Sequence, residues 1–154
     1  LPDTLTFRKL PTLWLLVTLP APLPVGGTLD IMRRPTGSET FSNFGSLPVQ
    51  LETIPGLPPE AALRTDDPAG LLPERILHDH LVVFSSDLVK ELVISPKGLR
   101  ITYLAEEADR GRYLLYRDAE MGAVPLAPEV LLPLLDHLVD LAASIETHSQ
   151  ETPT

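Results

Sequence analysis

Between residues 13 and 19, Leu13, Leu15, Val17 and Leu19 alternate with Trp14, Leu16 and Thr18, a period of two with apolar residues on both faces. Residues two apart share a face of a strand, so the pattern predicts a strand near the middle of a sheet, covered on both sides. Gly26-Gly27 marks a turn, and 28–33 reads as the next strand, with Leu29 and Ile31 on one face and Asp30 on the other. Residues 36–47 are polar and glycine-containing apart from Phe41 and Phe44, which predicts a long loop or a frayed edge segment. A short strand is expected at 49–52, followed by the stiff run Ile54-Pro55-Gly56-Leu57-Pro58-Pro59.

Residues 61–65 read as a strand entering Asp66-Asp67-Pro68. An acidic cap with proline just inside is a helix start, because the cap oxygen takes up an orphan N–H. Pro73 restarts the helix, and Leu77, Leu81, Phe84 and Leu88 then form one apolar stripe at helical spacing. Leu92 and Ile94 alternate before the turn residues Ser95-Pro96-Lys97-Gly98. Leu99, Ile101 and Tyr103 line the return strand, and Tyr113 with Leu115 suggests a third leg of a meander. The chain closes on an amphipathic helix whose buried stripe is Leu131, Leu134, Leu135, Leu138, Leu141, Ala142 and Ile145. Asp136 and Asp140 face water and His137 and Glu146 lie at the margins. Pro133 falls in its first turns, where proline is tolerated best.

Strands that run consecutively rather than alternating with helices favour α+β over a doubly wound parallel sheet. The expected fold is therefore a mostly antiparallel sheet with two main helices packed on one face. It forms a single domain over 1–146 with a loose tail at 147–154. No repeat at solenoid spacing is present.

Composition sharpens this picture in three ways. At 154 residues the chain is long enough to bury a sizeable core without staples, and 44% hydrophobic residues argue against wholesale disorder. Its 17 prolines predict short elements and rigid connections. The absence of cysteine excludes disulfides, thiol nucleophiles and thiolate metal sites. The formal charge of −9 disfavours a nucleic-acid partner, which needs clustered Lys and Arg. From Asp118 onward there are seven acids and no Lys or Arg. The longest apolar stretch, 13–25, is interrupted by Pro20, Pro22 and Pro24 and falls short of a spanning helix. The chain begins at Leu1 rather than Met, so a processed piece with any membrane anchor upstream is one expectation.

Candidate chemistry is sparse. His78-Asp79-His80 has an H-x-H spacing, but on a helix residues two apart point away from each other, so no shared metal site is expected. His80 should touch the core edge while His78 is solvated. Asp66-Asp67 could form an acid–base pair, although capping explains their position more simply. No serine lies in a G-x-S-x-G elbow, and Gly26-Gly27 lacks both the P-loop lysine and the dinucleotide glycine spacing. The 36–47 segment is the best binding candidate, with Phe41 and Phe44 as anchors for a partner. The competing reading, preferred on the habits of long loops, folds both rings back to plug the core under their own loop.

The strand entering an acidic turn at Ala62-Leu63-Arg64-Thr65-Asp66-Asp67-Pro68, the opening Leu71-Leu72-Pro73 and the hairpin 93–101 carry a resemblance. With the closing helix, they make the chain similar to a group of bacterial proteins of unknown function, usually membrane-anchored. The resemblance covers roughly two thirds of the chain and implies a domain that follows membrane helices, with no site residues to carry over.

The expectation is a soluble, non-enzymatic protein-interaction or scaffolding domain that takes no cofactor and no metal. Its binding residues are Phe41, Phe44, Asp136 and Asp140, and its partner is a protein. Nucleic acid is excluded, while a membrane tether outside the chain and self-association into a homo-oligomer are both open. Two alternatives stand beside it. One is a small hydrolase or metal-dependent enzyme using Asp66, Asp67, His78 or His80. The other is an apolar-ligand carrier between sheet and helices.

Overall fold

In the computed structural model, which describes residues 12–37, 39–107 and 128–151, the alternating segments become six strands. These are β1 (Thr12–Pro20), β2 (Leu29–Arg33), β3 (Val49–Leu51), β4 (Ala61–Thr65), β5 (Val89–Ser95) and β6 (Gly98–Glu107). They form one sheet in the order β1-β6-β5-β2-β4-β3, antiparallel at every pairing. The class is α+β. Helix α1 (Glu74–His80) continues as a 3-10 turn over Leu81–Ser85, and helix α2 (Pro128–Glu151) closes the chain.

One face of the sheet carries the core. Val17, Leu29, Ile31, Leu63, Leu92, Ile94, Leu99 and Ile101 pack with Leu77, Leu81 and Phe84 from α1 and its extension. Leu134, Leu138, Leu141 and Ile145 from α2 complete the same core. Burial of these side chains, at roughly 1.5–3 kcal/mol each, is what holds the layers together. Gly98 opens β6 at φ 144, and a Cβ there would stand 2.2 Å from the carbonyl oxygen of Leu19. Only glycine lets the β5–β6 turn approach β1 so closely.

Four expectations are revised. The helices are unequal, with α2 at 24 residues and α1 at only seven. The shorter one stops because the chain tightens after His80 into the 3-10 turn, where the carbonyls of Phe84 and of Ser86, the residue that follows the turn, accept hydrogen bonds from the buried Arg33 guanidinium. Leu77, Leu81 and Phe84 stay buried, whereas Leu88 falls beyond the stripe and is exposed. Strand β1, expected in mid-sheet, is an edge strand among the described residues. Its apolar outer face is only partly covered: Trp14 lies against Phe41, while Leu16 is 41% exposed. The segment from Thr147, expected to be a loose tail, is helical to Glu151. Tyr113 and Leu115, the expected third leg of the meander, lie outside the described residues.

Candidate functional site

The second face of the sheet, away from the helices, holds the densest polar chemistry. Alternation puts Asp30 and Met32 of β2, Glu91 and Val93 of β5, and Arg100 and Thr102 of β6 on this face. Glu91 is opposite both Met32 and Thr102, and Val93 is opposite both Asp30 and Arg100. Asp30 and Glu91 are therefore diagonal neighbours, within reach of one another across the β2–β5 pair. Both are buried, Asp30 at 2% exposure and Glu91 at 0%.

Burial comes from residues 39–47, which lie as a strap over this face. At its root, Glu39 accepts hydrogen bonds from the Thr36 N–H at 2.8 Å and the Gly37 N–H at 3.1 Å, and pairs with Lys90 at 3.3 Å. Burial alone would raise the Glu39 pKa. The Thr36 amide and hydroxyl, its own amide and the Lys90 ammonium outweigh that and bring it down to about 2. Further along, Phe41 packs on Trp14 with ring centroids 5.1 Å apart, and Phe44 is buried with the Arg64 guanidinium 5.8 Å over its ring. Between the two aromatics Ser42 enters the polar cluster. Its Oγ is 3.2 Å from Asp30 Oδ2 and hydrogen-bonds Glu91 Oε2.

The carboxyl groups are unequally served. Glu91 Oε1 accepts from Arg100 Nη2 at 2.7 Å and from the Thr102 hydroxyl at 3.0 Å. Asp30 is reached by the Ser42 hydroxyl and otherwise faces the Glu91 carboxyl, and its Oδ1 is buried with no hydrogen-bond partner, as is Nε of Arg100. Burial is the largest force on Asp30, followed by the hydrogen bond and charge of Glu91. Ser42 and Arg100 oppose them only in part, and the pKa is pushed up to about 9. Asp30 is thus a neutral acid at pH 7.

A second polar group lies between the helices. His80 Nε2 is 2.9 Å from Ser144 Oγ, and the His80 and His137 rings meet edge to face at 5.7 Å. Burial lowers both pKa values; the neighbouring His80 lowers that of His137 further, against the pull of Asp140.

The residues singled out from sequence fall apart from one another. Phe44 is buried and Phe41 half-buried, both folded back onto the sheet. Asp136 and Asp140 are exposed on α2. Asp66 accepts the Thr28 N–H at 2.8 Å, tying the end of β4 to the start of β2, and Asp67 caps the 3-10 turn Pro68–Gly70 by accepting the Ala69 N–H at 3.2 Å. His78 is exposed while His80 points into the helix pair. Among the described residues no group of three or more His, Cys, Asp or Glu converges as a metal site. An open depression of about 650 Å³ lies beyond the last paired residues of β3 and β4, lined by Gln50, Leu51, Glu52, Thr53, Ala61 and Ala62; none of the carboxyl cluster lines it, although Ala62 is in register with Met32 and Glu91.

Comparison of the chain with protein-family models, characterised proteins and solved structures finds no match. Sequence reasoning passed over Asp30, Glu91, Arg100 and Thr102 because polar residues alternating with apolar ones look like the wet face of a sheet. The only signal available was that all four fall on one face of adjoining strands, with two aromatics in the loop after β2.

Proposed function

We propose that the chain is a non-enzymatic protein-interaction domain whose docking surface is the outer face of α2. The observation that carries this reading is the pair Leu132 and Val139, seven residues apart and 55% and 54% exposed. Seven residues are two helical turns, so both lie along one line of the helix, with exposed Asp136 between them and Asp140 beside it. The outer face of a surface helix is ordinarily polar, and large apolar residues repeated along it are the anchors of helix-in-groove and helix-on-helix recognition.

Charge selects the partner. Residues 128–151 carry Glu129, Asp136, Asp140, Glu146 and Glu151 and neither Lys nor Arg. A second copy docked through this face would bring acid against acid, whereas an amphipathic helix with apolar anchors and basic flanks complements it. On the resemblance stated above, the domain would be the soluble part of a membrane-associated bacterial protein. Among the described residues no helix is long and apolar enough to cross a membrane, so a tether would lie elsewhere.

The test is fluorescence anisotropy with a labelled amphipathic peptide carrying leucines at i, i+4 and i+7 and flanking lysines, against a matched peptide with glutamate in place of lysine. Saturable binding is expected for the lysine peptide alone, weakened by salt and lost in the Leu132→Ser/Val139→Ser double variant. Equal binding of both peptides, or dimerisation through Leu132 and Val139 seen by light scattering, overturns this reading.

A further inference from the structure

The hydrogen-bond inventory around Ser42 does not close unless a carboxyl group is protonated. A serine hydroxyl has one hydrogen to donate and two lone pairs to accept with. Ser42 Oγ accepts the Phe44 N–H at 3.0 Å and meets an oxygen of Asp30 and an oxygen of Glu91. Its single hydrogen serves one of the two. The other contact holds only if that acid brings its own proton. Glu91 already accepts from Arg100 and Thr102 and is served as an anion, so the extra proton resides on Asp30 Oδ2, the oxygen that meets Ser42, which leaves the partnerless Oδ1 a neutral carbonyl oxygen rather than a buried anion.

We propose that residues 39–47 form a proton-held strap: the proton on Asp30 lets Ser42 bridge both carboxyls, and its loss releases the strap from the sheet. Every charged group facing Asp30 bears on this. Glu91 from β5 repels a second negative charge, and Arg100 from β6, the facing cation among the described residues, is already engaged by Glu91. Arg64, opposite Asp30 on β4, is turned away, donating to the Leu47 carbonyl at 2.8 Å and to Gln50 at 3.4 Å. Lys90 is held by Glu39 and by the Arg34 carbonyl at 2.9 Å. With Asp30 ionised, two buried carboxylates share one cation and the hydroxyl hydrogens of Ser42 and Thr102, the latter already spent on Glu91. Lifting the strap readmits water, and the chain has its turning point ready: Arg34 has a φ of 48 and Gly37 a φ of 87 just before the strap. Opening uncovers Trp14 together with the carboxyl pair, on the side of the sheet opposite α2, so the strap and the α2 docking face are independent.

Trp14 is the only tryptophan and touches the strap through Phe41, so it reports the opening directly. The experiment follows Trp emission and amide exchange of residues 39–47 on the full chain from pH 6 to 10.5, with far-UV circular dichroism alongside. The wild type is expected to show a reversible emission change with a midpoint near 9. Exchange in the strap should rise at least ~10-fold beyond the intrinsic pH effect, with secondary structure unchanged. Asp30→Asn, whose amide donates in place of the proton, should stay closed throughout. Ser42→Ala should already exchange rapidly at pH 7. The same midpoint in Asp30→Asn, a flat wild-type profile, or a Ser42→Ala strap as protected as wild type overturns the proposal.

Discussion

Asp30 sets the pH behaviour of the fold at the scale of one residue. Its pKa rises from 3.8 to about 9, so between those values folding takes up a proton that the unfolded chain lacks. The stability from this group is fully present below pH 3.8 and is lost as pH rises through about 9. Asp30→Asn removes that loss and is expected to stabilise the protein by ~1–4 kcal/mol at pH 8. The gain should shrink toward pH 4, as measured by urea unfolding at both values. Arg33 is the opposite case, a buried residue that costs more to remove than to keep. It serves the Phe84, Ser86 and Val89 carbonyls and pairs with Glu60 at 3.2 Å. Arg33→Ala strands those carbonyls and is expected to cost ~3–5 kcal/mol in the same assay.

Between elements, the junction of α1 and α2 is built from neutral imidazoles. The pKa values of His80 and His137 are lowered by burial, so the stability they contribute is intact above their unfolded value of 6.5. It is lost as pH falls below 6.5 toward the depressed folded values, because the unfolded chain then gains protons the folded one refuses. Thermal unfolding should therefore show a falling Tm between pH 6.5 and 5, and the drop should be smaller in His137→Asn. Element identity was largely legible in the sequence. Period-two runs at β1, β2, β5 and β6 and the leucine stripe of α2 all became the elements they predict. The end of α1 was not legible, because the stripe through Leu77, Leu81 and Phe84 fits a 3-10 turn as well as a helix. What decides is Arg33, 51 residues away from Phe84 along the chain.

For the whole molecule, the two faces of the sheet carry separate business. The helix side makes the core and presents the outer face of α2; on the other side the strap covers the carboxyl pair. Leu132→Ser/Val139→Ser should change unfolding free energy by no more than ~0.5 kcal/mol, since both side chains stand in solvent. The same variant should abolish peptide binding in the anisotropy assay, which separates a docking role from a packing one.

Sequence by itself determined the α+β class, most strands, the long helix and its acidic outer face, because each rests on local periodicity and composition. It also contained the capping role of Asp67, which depends on a neighbour two residues away, but not that of Asp66, which serves Thr28 across 38 residues. Strand order, the edge position of β1 and the burial of Asp30 and Glu91 were decided only by tertiary structure. An aspartate between Leu29 and Ile31 reads as solvent-facing until something covers it. The cover is a polar loop whose two phenylalanines fold back onto that face, one against a tryptophan 27 residues earlier. Alternation fixes which side of a strand a residue faces, but whether that side is wet depends on contacts between distant segments, which no local pattern encodes.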